Sequence, residues 1–563
     1  MAKRLAFVIR GAVSLGSYES GVLYEVLRAI EQHNKAVQDP ARRIEIDVLV
    51  GASAGSMTSA IAARTLVGAA ESLRGVEDNP FYDVWVKEVS LVELLRYRKE
   101  DDPAASLLSG EFITELGRKH LGTAPTGTPH TAAPSKGTIR LAFALSNLRG
   151  LDYDSVTSGT AFPYTRFQDE WRGEGSVKAP GSADWNTMVT TAVASGAFPA
   201  AFPVRAVVRR RDEYNTHFLS KTDWPATEPV RTLPYVDGGV FNNEPLGLAK
   251  ELVDCEDDHR DVDNRFYLYV SPSPKESDIH REFPQDVLHM VGALLHAVIG
   301  QAQYQDLSAL AKTNRKVAGL NATAAAIAAQ VATDPEPARS MAIVAPALAA
   351  AAFANVKPPD ETLAQATQRL KEQYRSEPWY AQDLAPSPRA DTWAALLAAF
   401  ERAATLHEKD EMALLTICAD DSELLGDPLA HFGGFTSEPV RRYDYEVGRA
   451  KAQSWLQSNN PLGIALSYAS YEPIDLGATR AAAIADLRNS AAQIAAQLGG
   501  RVGEQLDVMM ERAGVAWIFR KLARPVVEGF AAHYIRGRLL EEASSRQLRE
   551  RTQKELQPPA LAA

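Results

Sequence analysis

The chain of 563 residues carries 60 Lys and Arg against 71 Asp and Glu, a formal charge of −11, with 45% hydrophobic and 23% charged residues. At about 150 residues per domain, that length suits roughly three to four domain-sized units, or one large domain with insertions. The composition excludes a collagenous, low-complexity or disordered chain, and the acidic balance argues against nucleic acid as a partner, which calls for a cationic field.

The N-terminus, MAKRLAFVIRGAV, offers only the apolar run Leu5 to Ile9 before Arg10, too short for a signal-peptide core. That run reads instead as a buried strand. A small-residue turn follows, and Val22, Leu23, Val26, Leu27 and Ile30 then recur at helical spacing. Ile44 to Val50 is β-branched and ends at a glycine, and GASAGSMTSAIAARTL after it has the composition of a second turn and helix. Two βα units within the first 66 residues predict an α/β layer with a mainly parallel sheet.

From Phe81 to Leu121 the pattern is helical, and a Pro, Thr and Gly-rich loop, Thr123 to Thr138, separates it from a strand over Ile139 to Leu145. Further strands are expected at Thr232 to Val236 and Phe266 to Val270, and a long amphipathic helix near Pro284 carries His289 and His296. Beyond it almost no strand signal remains, and Ala-rich helical segments dominate 285–415 and 476–550. The expected organisation is an α/β domain over residues 1–275 and an all-helical domain over 276–563. Met341 to Val356 contains Pro346 and falls short of the roughly 20 apolar residues that span a bilayer. A cytoplasmic chain without a transmembrane helix, at most peripheral to a membrane, is the expectation. Cys255 and Cys418 support neither a disulfide framework nor a thiolate metal site. The acidic run Asp254 to Asp263 lacks the alternation and central glycine of a calcium loop.

The sharpest chemical signal is Gly51-Ala52-Ser53-Ala54-Gly55, a G-x-S-x-G placed where a strand turns directly into a helix. Such a turn holds a serine hydroxyl exposed, and its glycines admit close backbone approach. Only one other strand precedes Ser53, fewer than a conventional α/β-hydrolase places ahead of its elbow. Oxyanion donors would therefore come from the first turn, Arg10 to Gly16, whose small residues can aim backbone N–H groups at a developing charge. A dinucleotide fingerprint is excluded there, because Gly11 and Gly16 are five apart. Asp237-Gly238-Gly239 puts an acid at a strand end, the edge where active sites of open α/β sheets collect.

The glycine turn, GASAG, ASGAFPAAFP (Ala194 to Pro203) and DGG occur in an order that resembles the patatin-like phospholipase family, and LSNLRG (Leu145 to Gly150) sits where a comparable strand end is expected. The resemblance covers about residues 5–275 and implies a three-layer α/β/α domain. It assigns Ser53 as nucleophile, Asp237 as general base in a dyad without histidine, and the amides at Gly11, Ala12 and Val13 as oxyanion hole, helped by Ala54. No cofactor or metal is implied. Where the family has three consecutive glycines this chain has Gly-Ala-Val, and Leu15 replaces a basic residue. The implied reaction is hydrolysis of a phospholipid or other lipid ester; an acyltransferase or thioesterase using the same dyad, and a weakly active lipid-binding scaffold, are the alternatives.

In the C-terminal half, Arg512 to Leu540 mixes Trp517, Ile518, Phe519, Leu522, Phe530, Tyr534 and Ile535 with Arg520, Lys521, Arg524, Arg536 and Arg538, which suits a lipid headgroup boundary. A core helix with a basic outer face fits the same residues more simply, and Pro525 is expected to interrupt it. His431 to Ala452 (HFGGFTSEPVRRYDYEVGRAKA) resembles a segment of certain bacterial patatin-related proteins, with no chemistry attached. Phe81 to Leu95 and Ala194 to Phe202 are candidate walls of an acyl slot or a lid.

Overall fold

The computed structural model describes residues 2–157, 160–214, 219–256, 264–272, 308, 310–329, 335–353, 362–375, 377–387, 389–403, 412–420, 423–426, 431–458, 461–464, 474–515 and 517–556. The helix expected near Pro284, with His289 and His296, lies outside them, as does most of the acidic run ending at Asp263. The strands are β1 (Lys3–Ile9), β2 (Ile44–Gly51), β3 (Thr138–Thr157), β4 (Thr160–Ser176), β5 (Arg205–Arg210), β6 (Val230–Asp237), β7 (Arg265–Ser271) and β8 (Leu414–Cys418). The longer helices are α1 (Gly16–Ala36), α2 (Ala54–Gly68), α3 (Gly110–Leu121), α4 (Trp185–Ser195), α5 (Leu246–Glu256), α6 (Pro335–Phe353), α7 (Leu363–Gln373), α8 (Ala390–Ala403), α9 (Glu438–Ser458), α10 (Leu476–Arg512) and α11 (Trp517–Leu556).

The chain divides into two compact units. Met1–Ala249, Tyr267–Tyr304 and Leu414–Ala563 form the first, and Lys250–Phe266 with Gln305–Ala413 the second. This departs from a single boundary at residue 275, because the C-terminal part joins the same unit as the α/β elements. The five expected strands are all present, within β1, β2, β3, β6 and β7. The absence of strands after residue 285 is corrected: Leu414–Cys418 pairs in parallel with β7, from Tyr267 against Leu414 to Ser271 against Cys418.

The first unit is built on one mixed, mostly parallel sheet flanked by helices, in the order β5-β6-β3-β2-β1-β7-β8, with β4 paired to β3. The β1–β2 and β2–β3 pairs are parallel, and every residue of β2 is buried, as expected of a strand covered on both faces. One property of β3 positions everything that follows. Its one edge is taken by β4, continuously from Thr138 to Ser146. On the other edge β2 ends with Gly51 beside Phe143, and the antiparallel β6 ends with Asp237 beside Leu145. Two strands thus meet end to end on β3.

Helix α1 is buried on nearly every side, including the polar residues Glu19, Glu25 and Asn34, because α9 covers the face turned away from the sheet. The two helices cross in backbone contact: a Cβ at Gly21 would lie 2.0 Å from the Tyr445 carbonyl oxygen, and one at Gly448 2.1 Å from that of Tyr18. Arg449 lies buried at this crossing, 2.7 Å from Glu25 and 2.7 Å from Glu446, so the carboxylates withdrawn from water are matched by a guanidinium. Helix α11 runs unbroken past Pro525, which corrects the expected interruption; the proline stands on an exposed face, where water can satisfy the carbonyl it leaves without a partner.

In the second unit, α7, α8 and the helix over 310–329 close around Trp393, whose indole N–H donates to the Ala324 carbonyl at 3.0 Å. Among the described residues no helix is long and apolar enough to cross a membrane.

A methyl group at the α1–α9 crossing has nowhere to go. Gly448→Ala is expected to destabilise the first unit by about 1–3 kcal/mol through overpacking, read as a lower thermal midpoint than for the exposed Gly529→Ala control, which meets nothing within 4 Å.

Candidate active site

Ser53 is the second of the two residues between β2 and α2 and takes φ 50° and ψ −124°, a strained conformation that turns the chain sharply and presents its side chain at the sheet edge. The turn fits because Gly55 lacks a Cβ, which would lie 2.4 Å from the Ile9 carbonyl oxygen. The Ser53 N–H donates to Ser195 Oγ at 3.0 Å, and Ser195 Oγ–H donates in turn to the Ala144 carbonyl of β3 at 2.7 Å. Ser195 therefore ties the elbow to the central strand. Its hydroxyl also lies 2.8 Å from Ser56 Oγ. Nothing in its own sequence neighbourhood marked it beyond its place in ASGAFP.

Asp237 closes β6. Its N–H donates to the Ala197 carbonyl at 2.9 Å, which anchors it to the loop after α4. Its Oδ1 accepts the Gly239 N–H at 2.7 Å, and its Oδ2 accepts the Ser53 hydroxyl at 2.6 Å. The carboxyl group is buried, and loss of solvation pushes its pKa from 3.8 up to about 7, while the bonds from Ser53 and Gly239 pull the other way. A base of this strength is far better matched to a serine proton at neutral pH than an ordinary aspartate.

The glycine turn lies beside this pair, with the three expected donors in different circumstances. The Gly11 N–H donates to the Asn243 carbonyl at 3.2 Å and is engaged in holding the turn against the loop after Asp237. The N–H groups of Ala12 and Val13 make no hydrogen bond within the described residues, nor does that of Ala54, the first residue of α2, whose helix leaves its amide unpaired. Val13 stands at φ 50°, the left-handed conformation that glycine would adopt freely and that costs about 1–2 kcal/mol at other residues. Beneath the turn, Arg10 Nε lies 3.0 Å from the buried Glu244 carboxylate. Asn243 and Glu244, in the FNNEP run after DGG, are supporting residues the sequence did not single out.

Val13, Ser53 and Ala54 open into an apolar pocket. Its lining includes Met57 and Ile61 of α2, Ile113 and Leu116 of α3, and Val189 and Val193 of α4. Both expected wall segments contribute, the first through Val84, Trp85 and Val89 and the second through Gly196, Phe198 and Phe202. Phe435 completes it from the C-terminal part of the unit. Polar side chains on the lining include His120, held 2.9 Å from Glu88, and Arg205.

Residues 7–250, under half of the chain, match the family model described as Patatin-like phospholipase. An uncharacterized protein of Sinorhizobium fredii is 24% identical, with 48% of this chain and 49% of that protein covered. An uncharacterized membrane protein of Mycobacterium tuberculosis is 26% identical, with 47% of this chain and 25% of that protein covered. The chain thus spans about half the length of the first relative and a quarter of the second.

The raised Asp237 pKa is also a stability statement. Between pH about 4 and about 7 the folded chain keeps a proton that the unfolded chain has released, so stability falls as pH rises through that window. At about 1.4 kcal/mol per unit, the ionised carboxylate costs the fold roughly 4 kcal/mol above pH 7. Asp237→Asn is expected to melt higher than the native chain at pH 8 and to lose most of that advantage at pH 5, measured by differential scanning calorimetry.

Proposed function

We propose that the protein is a serine lipid acyl hydrolase of the phospholipase A or lipase type, acting through a Ser53–Asp237 dyad and an acyl-enzyme. The observation that carries this reading is the 2.6 Å hydrogen bond from Ser53 Oγ to a buried, weakly acidic Asp237 at the mouth of an apolar pocket.

In the first step Ser53 Oγ attacks the ester carbonyl carbon and its proton passes to Asp237 Oδ2. The carbonyl oxygen becomes an oxyanion facing the unpaired amides of Ala12, Val13 and Ala54, donors that require no reorganisation as charge develops. Collapse of the tetrahedral intermediate breaks the ester C–O bond, and Asp237 returns its proton to the departing alcohol. Water then gives a proton to Asp237 as it attacks the acyl carbon, and release of the fatty acid restores the Ser53 hydroxyl. Each methylene of the acyl chain placed in the pocket adds about 0.8 kcal/mol of transfer free energy, which favours long-chain over short-chain esters.

Labelling with a fluorophosphonate probe should place an adduct on Ser53, absent in Ser53→Ala and much slower in Asp237→Asn. Because only ionised Asp237 can accept the proton, kcat/KM should rise about tenfold per pH unit below the apparent pKa near 7 and level off above it. A folded chain that binds lipid without labelling at Ser53 would instead be a binding scaffold, and an acyl group captured by an added alcohol or thiol in preference to water would make the enzyme a transferase.

The reading extends to the lipid surface. Trp517 (59% exposed), Leu522 (66%) and Phe530 (68%) point outward from α11 together with Ile518 and Val526, which supports the surface reading over a core helix for these residues. Positions 518, 522, 526 and 530 follow one another by four and share a face. Residues 512–540 carry Arg512, Arg520, Lys521, Arg524, Arg536 and Arg538 against Glu528 alone, a basic segment in an acidic chain. That charge disfavours pairing with a second copy and favours an anionic bilayer. Flotation with vesicles containing phosphatidylglycerol should recover the chain, with recovery falling at high salt and about tenfold in the triple variant Trp517→Glu, Leu522→Glu, Phe530→Glu.

A further inference from the structure

The turn that carries Ala12 and Val13 is held by residues more than 400 positions later in the chain. Ser14, adjacent to Val13, donates its N–H to the His431 carbonyl at 3.1 Å. Its hydroxyl donates to the same carbonyl and accepts the Gly434 N–H at 3.0 Å. The contact is close enough that a Cβ on Gly434 would lie 2.7 Å from Ser14 Oγ. His431 itself stands at φ 66°, a conformation that a non-glycine residue keeps only where its surroundings enforce it.

The surroundings are α9. The buried Asp444 accepts the N–H groups of Leu425 and Gly426, each at 2.8 Å. Arg441 donates to the carbonyls of Gly434 at 3.1 Å and Phe435 at 3.2 Å, and through Nε to that of Val86 at 2.8 Å. Arg441 therefore joins the His431–Phe435 strap to the stretch that also supplies Val84 and Trp85 to the pocket. Two rings finish the contact: Phe435 lines the pocket beside Val13, and Phe432 meets Phe198, another lining residue, edge-on at 5.4 Å between centroids.

We propose that the strap His431–Phe435, which comes from outside residues 7–250, is a working part of the acyl site: through Ser14 it holds the Ala12 and Val13 amides in place, and through Phe435 it sets which acyl chain lengths the pocket accepts. The inference rests on the acyl-enzyme reading above. Ser14 and Gly434 are positioning residues, since they act through the turn, and Phe435 is a specificity residue. The valine at φ 50° makes this dependence concrete, because a turn that is strained at rest relaxes when its support is removed. A turn of consecutive glycines would hold the same shape at little cost and would need the strap less.

The test uses the full chain and a series of p-nitrophenyl esters from butyrate to palmitate. Ser14→Ala keeps the N–H contact but loses both hydroxyl contacts; kcat should fall about tenfold or more with KM within about twofold, the signature of an interaction used in the transition state. The apparent pKa near 7 should persist, since Asp237 is untouched. Gly434→Ala, which forces the same contact apart, should do likewise. Phe435→Ala should raise the palmitate-to-butyrate ratio of kcat/KM by about tenfold, and Phe435→Trp should lower it. If Gly434→Ala fails to fold, Ser14→Ala and the two Phe435 variants still decide the matter. Native kcat in Ser14→Ala with an unchanged chain-length ratio in both Phe435 variants overturns the inference while Ser53 still labels. Failure of the unmodified chain to label at Ser53 removes the acyl-enzyme reading, and the inference with it.

Discussion

The hydrogen bond between Ser53 and Asp237 joins residues 184 positions apart, and the rest of the first unit is arranged around the demand that it makes. A carboxylate strong enough to accept a serine proton has to be withheld from water, and the same withdrawal opposes its ionisation. The geometry is delivered by β3, which receives the end of β2 at Phe143 and the end of β6 at Leu145 on one edge. Neither side chain needs a long flexible arm to reach the other. Both are placed by backbone pairing, and each backbone is pinned again, Ser53 by Ser195 and Asp237 by the Ala197 carbonyl.

Such a site is held against its own preferences. Ser53 and Val13 each adopt a backbone conformation unfavourable by about 1–3 kcal/mol, and an ionised Asp237 adds a few more. Against a typical net stability of about 5–15 kcal/mol for a domain, these terms require support from elsewhere. The α1–α9 crossing is a clear source. Helix α1 begins directly after the turn of Ala12 and Val13, and its backbone is locked against α9 at Gly21 and Gly448 with the buried Glu25–Arg449–Glu446 cluster beside them. A rigid α1 gives the turn a fixed point to end on.

The parts legible in the sequence were those whose signal is local. Ser53 stood out because a β-branched strand, a glycine-flanked serine and a helix follow within a few residues, and Asp237 because an acid ended a strand before two glycines. Five strands are legible because each contains a short apolar run, Ile139 to Leu145 within the much longer β3 among them. The other strands have patterns set by partners: β4 is largely polar and exists as the long antiparallel mate of β3, and β5, RAVVRR, alternates exposed and buried positions along an edge with Arg209 among the buried ones. β8 is five residues long and is fixed by pairing with β7 across more than 140 intervening positions. Gly11 illustrates a finer limit. Its residue type suits an oxyanion donor, but whether its N–H is available depends on Asn243, a neighbour that only the fold supplies.

The replacement of glycine by Ala12 and Val13 follows the same logic. A backbone N–H is indifferent to the side chain beside it, so donors survive such changes wherever the conformation survives. Glycine makes the left-handed conformation at position 13 inexpensive; valine makes it costly but contributes an apolar side chain to the pocket lining. The cost is carried by contacts on Ser14, the next residue, from His431 and Gly434. Conformational freedom lost at one position is thereby replaced by tertiary restraint from another part of the chain. The turn proposed to receive the oxyanion is consequently a property of the whole first unit, with its sequence near residue 12 and its restraint near residue 431.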